Sequence, residues 1–439
     1  MFSALAASVV LAACGAPARE RAPDPRCGDA LDGRADEAAA SQPGWMAVPR
    51  AVLWVPRAAS RAVFWPVVTT GDLVEHNHVM DWLTAILTTD DHRVGVRPEI
   101  VYSTSFLPTG GLRLFYRRLP GEGSEIVGRF LTAGPSVLYG ELQLHGPDRW
   151  GLTLDASFNR RDDRLFAGVG PNSASDLAAQ GWAAARYGSD IWLAELRWRR
   201  PLPAVPHLVP TVHGDLQRRD YQADAVRGGP SVVEVFGPAL AELPGFYSGL
   251  RMAHAGGGLA LDLRNHARDG SGVTVAADAT YGHGVAGDPT QDLLVSGETV
   301  LALGFTDRLL LLRGRAAMVQ PMGGTTTLPF DELVTPSGGA GMRGFPEGRF
   351  RGESGIVGTA EYRYYIASSM DAALFTDVGT VAGRRFSGLR GDRWFPTFGL
   401  GIRIYQPSGP HWEAPARTGI QVAYAPDAGV RVMLTLAGF

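Results

Sequence analysis

At 439 residues the chain is long enough for one large domain or two ordinary ones. Lys+Arg 41 against Asp+Glu 44 leave a net charge of -3, so nothing in the charge balance points to a nucleic-acid partner. Hydrophobic content is 45 %, yet no run approaches the roughly 18 uninterrupted apolar residues of a transmembrane helix, and 56 glycines against a usual fraction of about 7 % suit strands and turns better than a helical bundle.

The first segment, residues 1–14, has the form of an export signal. Ala4 to Ala13 is apolar, too short to span a bilayer, and ends in Leu11-Ala12-Ala13-Cys14. This resembles a lipoprotein signal, in which Cys14 is acylated and becomes the first mature residue. No Lys or Arg precedes Cys14, the first basic residue being Arg19, which marks a weak signal or a translation start upstream of Met1; an ordinary cleaved signal that removes Cys14 is the alternative. Either form directs the chain out of the cytoplasm. Cys27 is then a single leftover thiol, or closes a small loop with an unmodified Cys14.

Residues 15–50 are rich in Ala, Pro, Arg and Asp without any period, the composition of a flexible tether. Residues 51–95 form a pre-barrel segment of different character. Val79, Trp82, Leu83, Ile86 and Leu87 fall on one helical face, and Thr88-Thr89-Asp90-Asp91 ends the run. This amphipathic helix within 51–92 needs an apolar surface, either protein or the membrane interface.

From about residue 96 to residue 439 the period is two. Trp192, Ala194, Leu196 and Trp198 alternate with Leu193, Glu195, Arg197 and Arg199, and Tyr362 and Tyr364 alternate with Glu361 and Arg363. One face is apolar and the other carries charges of both signs. A soluble sandwich packs the apolar face inward, whereas a membrane barrel turns it to lipid and lines its lumen with the charges. Periodicity cannot separate the two. Length and number favour the barrel, because about 16 segments of 8–12 residues match the roughly 9–11 that cross a bilayer at a tilt. Trp150, Trp192, Trp198 and Trp394 near the expected strand ends suit interfacial girdles. The expected fold is all-β: a 16-stranded antiparallel transmembrane β-barrel with an inward-folded loop and a short N-terminal helical segment.

The most specific stretch is Pro336-Ser337-Gly338-Gly339-Ala340-Gly341-Met342-Arg343-Gly344-Phe345, followed at strand spacing by Glu361 and by Phe375-Thr376-Asp377-Val378-Gly379. Strand parity puts Glu361 and Asp377 on the charged faces of neighbouring strands, where two carboxylates left alone would repel. A guanidinium between them donates planar, paired hydrogen bonds that a lysine does not reproduce, and Gly344 lets the loop backbone approach closely. On parity alone, a solvated Arg343 with two ordinary lumen acids is an equal alternative.

These residues are similar to the loop and strand motifs of the bacterial surface antigen superfamily of outer-membrane barrels, which includes BamA-like insertases and two-partner secretion transporters. In that family an Arg-Gly-Phe/Tyr tip lies on a long extracellular loop folded into the lumen. Arg343, Gly344 and Phe345 match the tip, Glu361 the acidic position of the next strand, and Phe375, Asp377 and Gly379 the strand after. Asp262 and Arg264 look like the family's Asp-x-Arg strand, and Leu165 to Asn172 resembles a turn found in many members. The resemblance covers roughly residues 50–439 and implies that the loop of about residues 321–354 is pinned inside the barrel by Arg343.

Two departures stand out. Residues 15–95 lack the mixed strand–helix pattern of polypeptide-transport-associated domains, so a barrel-only member is expected. In the last strand, Val430, Val432, Leu434 and Leu436 share a face, but Phe439 falls out of their register.

By resemblance the function is insertion or translocation of polypeptides at the outer membrane, with membrane lipids and unfolded or nascent outer-membrane proteins as partners. A solute-conducting pore gated by the loop, and a structural outer-membrane partner without transport, are the alternatives. No catalytic constellation is found, and no cofactor, nucleotide or metal is expected. Gly339 to Gly344 formally matches GxGxxG, but no apolar strand precedes it and no helix follows. Glu75, His76 and His78 lie on the expected helix, where histidines two apart face different sides.

Overall fold

The structure is a computed structural model. It describes residues 86–437 apart from 92, 120, 148, 182, 224–227, 265–270, 306–307, 340, 368–369 and 405–417. The export signal with Cys14, the tether, most of the helix expected within 51–92, and Phe439 lie outside the described residues.

Sixteen strands close into one antiparallel barrel in which every strand pairs with its neighbours in sequence. They are β1 (Val94–Ser103), β2 (Phe106–Arg117), β3 (Glu125–Thr132), β4 (Val137–His145), β5 (Leu152–Phe166), β6 (Ala185–Arg199), β7 (Leu208–Gln222) and β8 (Leu250–Asp262). There follow β9 (Gly272–Gly284), β10 (Gln291–Phe305), β11 (Arg308–Pro321), β12 (Ser354–Ala367), β13 (Met370–Ala382), β14 (Phe395–Ile404), β15 (Thr418–Ala425) and β16 (Gly429–Ala437). Individual strands run from 8 to 15 residues. The longest therefore exceed the expected span, and for that reason Trp192 sits in the middle of β6 rather than near its end.

The alternation in each strand now has a direction. Leu112, Leu114, Phe130, Leu142, Leu196, Val212, Leu216, Leu259 and Val430 are exposed, whereas Glu99, Glu125, Asp215, His254, Asp292, Glu361, Asp371 and Arg403 are buried. A water-soluble barrel inverts this distribution, because exposed apolar area costs about 25 cal/mol per Å² in water. In a bilayer the same belt is solvated by lipid, and closure brings the two edge strands of the sheet together. No described helix is long and apolar enough to cross a membrane.

Among the connections with described residues, the four longest, 167–184, 223–249, 322–353 and 383–394, lie at one end of the barrel. Two carry short helices, α1 (Ala174–Ala179) and α2 (Val232–Phe236), each started by a serine capping box at Ser173 and Ser231. The loop 322–353 turns inward. Phe330 joins Phe166, Tyr187, Phe236 and Phe246 in one buried cluster, while Met342, Phe345 and Phe350 join Val357, Val381 and Phe395 in another.

Candidate functional site

The site is built where the loop tip meets the wall formed by β12, β13, β14 and β16. Arg343 is 8 % exposed. Its backbone N–H and Nε donate to Asp377 Oδ2 at 3.1 and 3.0 Å, Nη2 donates to Asp377 Oδ1 at 2.8 Å, and Nη1 donates to Glu361 Oε2 at 2.6 Å. The guanidinium carbon also lies 3.4 Å from the centroid of the Phe375 ring, a cation–π arrangement strengthened by exclusion of water. One arginine thus meets a strand carboxylate in a planar fork, a second carboxylate, and an aromatic face at once. A lysine, with a point charge, satisfies only part of that set.

The carboxylates have further partners. Asp377 accepts from Thr359 Oγ1 at 2.9 Å and from Thr397 Oγ1 at 3.2 Å. Glu361 Oε1 accepts from Arg363 Nε and Arg403 Nη2, both at 2.7 Å, and Arg403 Nε reaches on to Asp371 Oδ1 at 3.1 Å. Burial alone would make Arg343 less basic, but hydrogen bonding to Asp377 and the Glu361 charge outweigh it and raise its pKa.

The backbone around Arg343 depends on glycine at two places. A Cβ at Gly344 would fall 2.7 Å from Thr397 Cγ2 and 2.9 Å from Thr397 Cβ. A Cβ at Gly379 would fall 2.8 Å from both Ile356 O and Met342 Sδ, so the strand facing the loop tip also needs a missing side chain. Phe345, fully buried, lies 5.0 Å from Phe350 and 6.0 Å from Phe395, ring centre to ring centre. Burying a phenylalanine contributes about 1.5–3 kcal/mol, so apolar packing and the ion-pair network act on the same tip.

Not all residues singled out from sequence meet here. Asp262 closes β8, and Arg264 lies past its end rather than on the strand as expected, folding back with Nε 2.9 Å from Asp262 Oδ1 and Nη2 2.6 Å from Asp262 Oδ2. Thr274 Oγ1 also donates to Asp262 at 3.1 Å. This pair is separate from the Arg343 network. The Leu165–Asn172 turn, in contrast, does touch the loop: Gly170 N–H donates to Arg351 O at 2.7 Å.

Sequence reasoning missed Arg431. From β16, its Nη1 donates to Arg343 O at 3.1 Å and to Phe345 O, while Nε and Nη2 donate to Ser103 Oγ at 3.0 and 2.7 Å. Ser103 ends β1, so one side chain joins the loop tip to both strands of the closing seam. That seam is short among the described residues. Its pairing runs from Glu99↔Ala437 to Ser103↔Met433, whereas β10 and β11 pair from Asp292↔Pro321 to Phe305↔Arg308. Along the earlier part of β1, residues 94–98 pair with β2 but have no described partner on β16.

The rest of the loop is also tied to the wall. Asp331 accepts from Arg219 Nη1 at 3.3 Å, Tyr221 OH at 3.1 Å and Arg351 Nη1 at 3.2 Å. Arg349 Nη2 donates to Asp427 Oδ2 at 2.9 Å in the β15–β16 turn.

Residues 252–411 match the Omp85 superfamily domain. None of the curated proteins compared matches the chain. Among solved structures, the chain is similar to BamA from Haemophilus ducreyi lacking POTRA domains 1-3, at 12 % identity and a TM-score of 0.52, covering 78 % of this chain and 70 % of that one. CdiB from Acinetobacter baumannii aligns at 13 % identity with a TM-score of 0.46, over 78 % of this chain and 60 % of its own.

Proposed function

We propose, for an outer-membrane β-barrel whose residues 252–411 carry the Omp85 superfamily domain, that the seam between β1 and β16 admits polypeptide strands and that the barrel inserts or translocates them. The observation that carries this is the short seam with the loop tip fastened to it through Arg431 and Ser103. Every other junction between the described strands has more residue pairs to break, so thermal opening favours this one. An opened β1 presents unpaired N–H and C=O groups, to which an extended client adds by β-augmentation.

The test is a seam lock. Val101 and Thr435 face each other across the seam, and facing Cα atoms about 4.5–5.5 Å apart lie within disulfide range. The Val101→Cys/Thr435→Cys protein is reconstituted into liposomes and supplied with an unfolded outer-membrane protein. Insertion of that client is expected under reducing conditions and to be lost on oxidation. Insertion at equal rates in both states would exclude seam opening. A barrel that acts only as a solute pore would conduct ions equally in both states and insert nothing.

A further inference from the structure

We infer that His254, Asp292 and Glu332 form a binding site for a divalent transition-metal ion that ties the N-terminal half of the inward loop to the barrel wall. His254 stands on β8, Asp292 on β10 and Glu332 on the loop. One ligand atom from each lies within 4.8 Å of the others, and His254 Nε2 is 3.8 Å from Glu332 Oε2. That separation is too long for a hydrogen bond. Metal–ligand bonds of about 2.0–2.2 Å set neighbouring ligand atoms about 3–3.6 Å apart, so modest side-chain rotation brings the set onto an ion.

Three further observations point to a ligand at this place. Asp292 is 1 % exposed, and its Oδ2 is buried without a hydrogen-bond partner. A buried carboxylate oxygen in that state is costly, and a bound cation removes that cost. His254 Nδ1 lies 2.8 Å from Asp215 Oδ1 on β7. A carboxylate accepting from Nδ1–H fixes the tautomer and aims the Nε2 lone pair into the site, the arrangement that supports metal-binding histidines elsewhere. Finally, Gly282 on β9 pairs with His254 on one side and with Asp292 on the other. A Cβ there would fall 2.8 Å from both Asp292 oxygens and 2.9 Å from His254 Cδ2. The strand between the two ligands is therefore bare at the one position where a side chain would fill the space.

The donor set of one imidazole and two carboxylates suits zinc or manganese better than calcium, which prefers six to eight oxygens. Glu332 keeps its other oxygen, Oε1, 2.8 Å from Arg219 Nη1, so the ion takes up the charge of Asp292 and the second oxygen of Glu332. The competing arrangement has no metal: a doubly protonated His254 between Asp215 and Glu332.

The test uses untagged full-length barrel, stripped with chelator in detergent and dialysed against Zn2+. One Zn2+ per chain is expected, with limited proteolysis of the loop slowing on zinc addition and recovering on chelation. Asp292→Asn is expected to abolish stoichiometric binding, and Asp215→Asn to weaken it about 10–100-fold. Gly282→Ala keeps every ligand and charge while filling the gap, so it should also abolish binding while the folded barrel still shows heat-modifiable migration. No saturable Zn2+ uptake, or uptake unchanged in both Asp292→Asn and Gly282→Ala, would overturn the inference. Displacement of Zn2+ by equimolar Ca2+ would overturn the choice of a transition metal.

Discussion

Replacing Arg343 with alanine gives the sharpest expectation about the loop. The side chain supplies Asp377 with its two-toothed guanidinium contact and Glu361 with one of three. After truncation Glu361 keeps Arg363 and Arg403, but Asp377, which is fully buried, keeps no cation, only the backbone N–H of residue 343 and the hydroxyls of Thr359 and Thr397. Breaking a buried ion pair by removing one partner costs about 3–5 kcal/mol. Because Glu361 stays compensated, the lower end applies, with the lost cation–π contact to Phe375 counted within it. At about 1.4 kcal/mol per tenfold, a loss near 3–4 kcal/mol raises the population of the released loop by two to three orders of magnitude. The readout is maleimide labelling of a Met342→Cys reporter, a position fully buried beside Arg343. Labelling is expected to accelerate about 10²–10³-fold in Arg343→Ala, and to fall back in part when Asp377→Ala is added, since no charge is then left unpaired. A labelling rate within threefold of the parent would refute the pinned loop, because it would mean that the network contributes nothing to holding the tip.

Gly344→Ala forces a methyl to within 2.7 Å of Thr397 Cγ2, an overpacking of about 1–3 kcal/mol; faster labelling of the same reporter and a lower heat-modification temperature are expected. Arg431→Ala severs the loop tip from Ser103, so the Val101→Cys/Thr435→Cys pair, held less steadily in register, should close its disulfide more slowly and to a lower yield. Burial alone would raise the Asp331 carboxyl, but Arg219 and Arg351 hold it down at about 2, below its ordinary 3.8. A carboxyl lowered by folding stabilises fully above its unfolded value and loses that contribution as pH falls through the folded one. Protease protection of the loop around Asp331 should therefore be flat from pH 8 to pH 5 and decline between about pH 4 and pH 2; a decline near pH 6 would assign the anchor to a different group.

The barrel was legible because two-residue alternation is a local property: Leu196 beside Arg197 already says that one face meets lipid or core and the other does not. Which face is inside was not local, and only closure of the sheet makes Leu216 exposed and Asp215 buried. Arg343, Glu361 and Asp377 were recognisable from a compact motif and from the parity of consecutive strands, which pair directly. Arg431 and Ser103 were not, since the contact spans almost the whole barrel sequence and exists only because the first and last strands meet. The same holds for Asp215, His254, Gly282 and Asp292. They form a rung across β7, β8, β9 and β10 whose alignment is set by strand register, a quantity that no single strand carries. Arg264 went astray for a simpler reason: alternation continued past the place where β8 stops pairing.

Seam opening is tested most directly by photo-crosslinking from β1 to a client in the act of insertion. A photoreactive residue replaces Ile100, which faces outward at the seam opposite Leu436, and a second protein carries it at Leu216, 61 % exposed on β7 at the far wall. Adducts with the terminal strand of the client are expected from position 100, absent from position 216, and abolished by the oxidised Val101→Cys/Thr435→Cys lock. Equal adducts from both positions, or adducts from position 100 that survive the lock, would contradict it.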